Sequence, residues 1–206
     1  MAHHAPAADP KATLHRYLRH AREAIVWKTE GLSERALRTP RTPTGTSLLG
    51  LVKHCASVEI GYLGVTFGRP WPHPHEVPWM AAWSDPDAPD DDPEADMYAT
   101  ADETAAGILD LYRRAQTFAD ATVADLPLDA RGHVPWWGAD GDVDLHTVLV
   151  HLLAELQRHA GHADVLREGI DGAVGLSPRN SNVWTPDAER AAHLERLRGI
   201  AGRFPG

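Results

Sequence analysis

The sequence is short of cysteine, of positive charge and of long apolar runs, and each shortage excludes a class of protein. The single cysteine, Cys55, excludes an internal disulfide and any metal site built from cysteine alone. Lysine and arginine number 20 against 29 aspartates and glutamates, which gives a net charge of -9. This balance argues against nucleic acid as a partner, because phosphate binding requires clustered basic side chains. No uninterrupted apolar run reaches the roughly 20 residues of a membrane span, so no membrane partner is expected.

The remaining composition is that of a soluble globular protein. Hydrophobic residues make up 43% and charged residues 24% of the 206 positions, which is an ordinary balance and enough chain to bury a core. We expect one domain over residues 1–206, with a core at about 10–172 and a C-terminal extension over 173–206. The opening MAHHAPAADPKATLHRYL lacks the layout of a signal peptide, so the cytoplasm is the expected location. Arginine far outnumbers lysine, which together with abundant alanine, glycine and proline hints at a GC-rich bacterial genome.

Five stretches have the apolar spacing that is typical of amphipathic helices. They run from about Pro10 to Leu32, from Thr46 or Ser47 to Gly68, from Thr100 to Leu126, from about Asp144 to Ile170, and onward from Pro186. Asp9 is expected to cap the first helix, and Thr100 with Glu103 matches a capping box for the third. The segment SERALRTPRTPTG breaks the pattern, and no convincing pair of alternating strands is present. The sequence therefore predicts an all-α fold: an up-and-down four-helix bundle with a long loop after helix 2 and an extra C-terminal helix.

The loop from Arg69 to about Thr100 is unusually long for a compact domain, and such loops are either functional or disordered. Its tryptophans, Trp71, Trp79 and Trp83, favour a loop that packs over other parts of the molecule. The run DPDAPDDDPEAD, residues 85–96, is interpreted as a solvated acidic tip.

The stretch HLLAELQRHAGHADVLRE, residues 151–168, has polar groups where a core helix would repeat leucine or valine. At about 100° per residue, His159 falls on the apolar face that includes Leu152 and Leu156, and Glu155 falls at its edge. Glu155 and His159 are four residues apart, so their side chains meet on adjacent turns and can reach one cation. In bundles the remaining ligands come from facing helices, and the second helix offers His54 on its apolar side.

The residues alone leave other interpretations open. A lone histidine near an apolar face, such as His54, is usually a core histidine with a hydrogen-bond partner. The Glu155–His159 pair is equally compatible with an ion pair at the rim of the core. Cys55 is interpreted as a small buried hydrophobe.

Two segments resemble the DinB/YfiT-like superfamily, in a branch common in actinobacteria, and the resemblance covers about residues 10–172. They are TPTGTSLLGLVKHCASVEIGYLGVTFGRPW and LHTVLVHLLAELQRHAGHADVLREGIDG. Members of the superfamily are four-helix bundles with a divalent metal held by a histidine of the second helix and an H/E-x-x-x-H pair of the fourth. The resemblance therefore implies His54, Glu155 and His159 as metal ligands. The glutamate in the pair is similar to that of the mycothiol-dependent maleylpyruvate isomerases.

The same resemblance implies a function. Enzymes of the superfamily are thiol-dependent S-transferases and isomerases, so we expect metal-dependent thiol chemistry on an electrophilic small molecule. Zinc suits the ligands best, nickel and iron accept the same donors, and mycothiol is the first candidate for the thiol. The alternatives are a metal-stabilised binder of small molecules without turnover and a hydrolase that uses metal-activated water.

Three further residues are candidates for binding the cofactor or substrate. Trp136 and Trp137 precede the fourth helix and are placed as walls of the pocket, with core or lid packing as the alternative. His162 is placed as a residue that lines the pocket, on the basis of the resemblance. No catalytic residue is assigned, and a homodimer stays open.

Overall fold

Long helices form the core of the molecule. The structure, a computed structural model, describes residues 9–84 and 92–205. The helices that carry the core are α1 (Pro10–Trp27), α3 (Leu48–Leu63), α5 (Ala105–Asp125) and α6 (Leu145–Asp171). Helix α3 packs against α5 and α6, α6 also packs against α1, and buried apolar side chains from all of them join in one cluster. The all-α class is confirmed, whereas the up-and-down order and the single-domain division stay predictions.

Local chemistry fixes the ends of these helices. The side chains of Asp9, Ser47 and Asp144 each accept a backbone N–H from the first turn of α1, α3 and α6. Helix α6 ends at Gly172, whose φ of 78° lies in the left-handed region that favours glycine. The predicted cap at Asp9 is therefore confirmed, and the predicted end of the fourth helix at Ile170 lies within one residue of the observed end at Asp171.

Three predicted helix boundaries are wrong. Helix α1 ends at Trp27 and not at Leu32, and α3 ends at Leu63 and not at Gly68. Helix α5 begins at Ala105, with Thr104 as its cap, so the capping box expected at Thr100 does not start the helix. The carboxylate of Glu103 still accepts the backbone N–H of Thr100, and it also pairs with Lys53 of α3, while the side chain of Thr104 caps the helix.

Short elements that the sequence did not indicate fill the connections. Helix α2 (Glu34–Arg38) lies in the segment where the helical pattern breaks. Strands β1 (Arg131–His133) and β2 (Asp142–Asp144) form an antiparallel hairpin, so the expectation of no strand pair is wrong here. Each strand has three residues, which is too short to show a reliable alternation.

The long connection after α3 is folded over the core. It contains 3-10 turns at Val65–Phe67, Pro74–Glu76 and Pro78–Met80, followed by helix α4 (Ala81–Ser84). Trp71 is buried, and Trp79 and Trp83 pack against the core, as the tryptophan content of this loop favoured. Residues 85–91 of the expected acidic tip lie outside the described residues. Asp96 is 6% exposed, so the interpretation of a solvated tip is wrong at this position.

Helix α7 (Asp187–Ala201) is the expected C-terminal helix. It begins after Pro186, and most of its residues are exposed. It therefore adds little to the buried core.

The stretch Leu48–Phe67, which contains α3, is long and apolar enough by length and composition to cross a membrane. Within the fold, however, 89% of the apolar window is buried. A buried core helix of a soluble protein has these properties, and the structure is consistent with such a protein.

A buried ion pair ties α1 to α3. Arg22 Nε donates to Glu59 Oε1 at 2.9 Å and Arg22 Nη2 to Glu59 Oε2 at 2.6 Å, and the two residues are 2% and 0% exposed. Arg22 also pairs with Asp120 of α5. Loss of one partner from a buried pair leaves an uncompensated charge in the core.

We predict that Arg22→Met lowers the free energy of unfolding by about 3–5 kcal/mol, because the carboxylate of Glu59 stays buried without its partner. Urea denaturation measures the change. Arg198→Met is the control, since Arg198 and Glu195 form an exposed pair on α7 and its loss costs about 1 kcal/mol or less. Equal effects of the two substitutions would contradict the prediction.

Candidate metal centre

His54 of α3 faces Glu155 and His159 of α6 across the packed helices. One ligand atom from each side chain lies within 4.8 Å of the other two. His159 Nε2 is 2.9 Å from Glu155 Oε1, and His54 Nε2 is 3.5 Å from the same oxygen. The two imidazole centroids are 4.7 Å apart. The structure thus brings together the three residues that the sequence singled out.

The position of this cluster follows from the apolar residues around it. Leu51 and Val58 flank His54 along α3, Leu152 and Leu156 lie beside the pair on α6, and all four are buried. Burial of these side chains locks the two helix faces together, and the polar groups between them are held at short distances.

The cluster lies at the edge of the core. His159 is 7% exposed, whereas the side chains of His54 and Glu155 are 17% and 28% exposed. Glu155 is therefore the most exposed of the three side chains.

Asp96 also contacts the cluster, and the sequence interpretation did not single it out. Its Oδ2 lies 2.7 Å from His54 Nδ1. Since a carboxylate only accepts, His54 Nδ1 is the donor, and in the neutral ring the free lone pair is on Nε2, which faces Glu155. The only sequence signal for Asp96 was its place among several aspartates in the loop after α3, and nothing there distinguished it.

The three side chains perturb one another's pKa values. Burial lowers the pKa of His54, but the carboxylates of Asp96 and Glu155 outweigh this and the pKa lies above its ordinary value. Burial, reinforced by the charge of His54, lowers the pKa of His159. Burial acts to raise the pKa of Glu155, but the hydrogen bonds and charges of His159 and His54 bring it below the usual range. A neutral His159 beside an ionised Glu155 is the state in which both can act as ligands.

The donor set fits a divalent cation. Two imidazole nitrogens and one carboxylate oxygen form a ligand set used by zinc, and nickel and iron accept the same donors. Bonds of about 2.0–2.2 Å in a tetrahedral centre separate the ligand atoms by about 3.3–3.6 Å. The separations here run from 2.9 Å to at most 4.8 Å and span that range.

An aromatic cluster begins one helical turn from this centre. Tyr62 Oη accepts the indole N–H groups of Trp136 at 3.2 Å and Trp137 at 3.1 Å. The ring of His151 lies 4.7 Å from that of Tyr62 and 4.8 Å from that of Trp137, measured between centroids. His151 precedes Glu155 by four residues on α6, so it connects the cluster to the candidate ligands.

Trp83, in the long connection after α3, also belongs to this aromatic cluster. Its ring lies 5.1 Å from that of Trp136, and both pack over Gly61 of α3. A Cβ at Gly61 would lie 2.7 Å from the Trp83 ring, so the close approach depends on glycine.

Two other candidates lie beside the centre. His162 is exposed, and its ring centroid is 5.5 Å from that of His159, so it stands at the rim. Cys55 is fully buried, and burial raises the pKa of its thiol well above the ordinary value. A neutral buried thiol is a poor nucleophile, which agrees with the interpretation of Cys55 as a small buried hydrophobe.

Comparison with known proteins supplies the family. The family model described as mycothiol S-transferase matches residues 13–172, from the first turn of α1 to the glycine that ends α6. The matched range contains His54, Asp96, Glu155 and His159 and nearly coincides with the expected core. No curated protein matches the sequence. The resemblance to the DinB/YfiT-like superfamily is confirmed, and the chain belongs to the mycothiol S-transferase family.

Proposed function

We propose that the protein joins a low-molecular-weight thiol to an electrophilic small molecule and requires a divalent cation bound by His54, Glu155 and His159. The observation that carries the proposal is the convergence of these three donors, from two helices, within 4.8 Å. Mycothiol is the first candidate for the thiol, because family membership points to mycothiol-dependent transfer. Zinc is the first candidate for the cation.

The number of donors supports catalysis. Three protein ligands leave a coordination position for an incoming molecule, whereas structural zinc sites are closed by four protein ligands. A divalent cation at such a centre favours the thiolate form of a coordinated thiol at neutral pH. The exposed edge of Glu155 provides the approach for that thiol.

The reaction consumes no oxidant or reductant. A bond forms between the thiol sulfur and an electrophilic carbon, the bond from that carbon to its leaving group breaks, and the thiol proton is released. An isomerisation would use the same centre, with the thiol adding to a conjugated double bond and leaving after rotation about it.

The aromatic cluster is a suitable wall for the organic part of the substrate. The indole N–H groups of Trp136 and Trp137 are directed at Tyr62, so the ring faces and edges are what remain for contact. Tyr62 Oη accepts both bonds and keeps its own proton to donate. The cluster therefore offers apolar surface and one hydroxyl donor near the centre.

We predict that His159→Ala abolishes both zinc binding and thiol conjugation, because the remaining two donors do not hold the cation. Metal analysis measures the first, and conjugation of monochlorobimane with mycothiol, compared with bacillithiol and glutathione, measures the second. His133→Ala is the matched control, since His133 pairs with Asp142 on the exposed hairpin.

Activity that survives in folded His159→Ala would overturn the proposed mechanism. Zinc binding by the wild type without conjugation of any of the three thiols would instead identify a metal-stabilised binding protein. Circular dichroism establishes that the variant is folded.

We predict that Trp137→Ala raises the KM for the electrophile about 2- to 10-fold and leaves zinc content unchanged, because it removes an aromatic contact of about 0.5–1.5 kcal/mol. Steady-state kinetics with mycothiol at saturation measures the change. Trp184→Ala is the control, since Trp184 is 93% exposed. An unchanged KM in Trp137→Ala would exclude this wall from substrate binding.

A further inference from the structure

We propose that Asp96 is a positioning residue for the candidate ligand His54, and that docking of the segment 92–103 onto α3 sets the affinity for the cation. The inference rests on the proposed metal centre. It adds a residue and a segment that are not themselves ligands.

The contact between Asp96 and His54 has the geometry of a carboxylate that orients a metal-binding histidine. Asp96 Oδ2 is 2.7 Å from His54 Nδ1, and Asp96 is 6% exposed. The bond fixes the ring orientation and directs the Nε2 lone pair towards Glu155. It also increases the basicity of Nε2, which strengthens that nitrogen as a ligand.

Asp96 lies in the segment 92–103, which contacts α3 at two further points. A Cβ at Gly50 would lie 1.8 Å from the carbonyl oxygen of Met97, so the backbone of the segment rests directly on the helix there. Lys53 Nζ donates to the carbonyl oxygen of Tyr98 at 3.1 Å and pairs with Glu103 at 2.9 Å.

The three contact points lie on one face of α3. Gly50, Lys53 and His54 are spaced as i, i+3 and i+4, which places the three residues on adjacent turns of the same side of the helix. Lys53 is 1% exposed, and its ammonium also lies 3.8 Å from the centroid of the Trp79 ring. A buried ammonium with these partners holds the segment firmly in register with His54.

The second histidine has no equivalent support. His159 Nδ1 is buried and has no hydrogen-bond partner within residues 9–84 and 92–205. The orientation of His159 therefore depends on packing and on Glu155, while that of His54 depends on Asp96. Within residues 9–84 and 92–205, Asp96 is the only carboxylate that accepts a hydrogen bond from the ring nitrogen of a candidate ligand on the side away from the centre. Loss of the Asp96 contact removes this bond.

The coupling works in both directions. If docking of the segment strengthens cation binding, the cation must stabilise the docked segment by the same free energy. Amide hydrogen exchange in residues 92–103 is therefore expected to slow when zinc is added to the wild type.

The first test measures zinc affinity by competition with a chromophoric chelator. Asp96→Ala and Asp96→Asn are expected to bind zinc about 10–100-fold more weakly than the wild type, with the larger loss in Asp96→Ala, because an asparagine oxygen still accepts a bond. Asp102→Asn is the matched control: it removes the same charge from an exposed position of the same segment and is expected to leave the affinity unchanged.

Wild-type affinity in both Asp96 variants would overturn the positioning role. An equal loss in Asp102→Asn would assign the effect to net charge and would also overturn it. Absence of zinc binding in the wild type would instead refute the proposed function, so the two failures are distinguishable.

The second test addresses docking. Gly50→Ala is expected to weaken zinc binding and to speed hydrogen exchange in residues 92–103, because its Cβ displaces the Met97 carbonyl. Gly169→Ala on α6 is the control, since among the described residues a Cβ there would meet nothing within 4 Å beyond its chain neighbours and the backbone of its own helix. Exchange in the wild type with and without zinc requires no variant, and identical exchange in the two states would overturn the coupling.

Discussion

The packing of α3 against α6 is the constraint on which the candidate centre depends. His54 is on one helix and Glu155 with His159 on the other, and the 3.5 Å separation between His54 Nε2 and Glu155 Oε1 exists because buried leucines and valines fix the two helix faces. Donors on rigid helices are placed more accurately than donors on loops. The fold therefore brings the three side chains of the candidate centre together.

The buried polar groups differ in how completely their hydrogen bonds are satisfied. Arg22 and Glu59 satisfy each other with two short hydrogen bonds and link α1 to α3. At the candidate centre, His159 has a buried Nδ1 without a partner in the described part of the chain, and its Nε2 shares one carboxylate oxygen with His54. Incompletely satisfied polar groups in a core are costly, and they persist where function requires them.

The sequence predicted the parts of the structure that depend on local periodicity. The apolar spacing placed a helix from about Asp144 to Ile170, where α6 runs from Leu145 to Asp171. The same periodicity placed His159 on the apolar face of that helix, and His159 is 7% exposed. The burial of Asp96 was not predictable, because its neighbour Met97 rests against Gly50 and its own carboxylate contacts His54, both distant along the chain. The start of α5 was also misplaced, because Thr104 and not Thr100 caps the helix; there Glu103 pairs with Lys53 of α3. Both Asp96 and Glu103 have partners far along the chain that local periodicity does not indicate.

X-ray absorption at the zinc edge of the zinc-loaded protein, before and after addition of mycothiol, measures most directly whether the bound cation has histidine ligands and accepts the thiol. We expect scattering from two imidazoles in the zinc-loaded protein and a new sulfur neighbour at about 2.3 Å after the thiol is added. Absence of imidazole scattering, or a spectrum that mycothiol leaves unchanged, would contradict a cation held by His54, Glu155 and His159 that accepts the thiol.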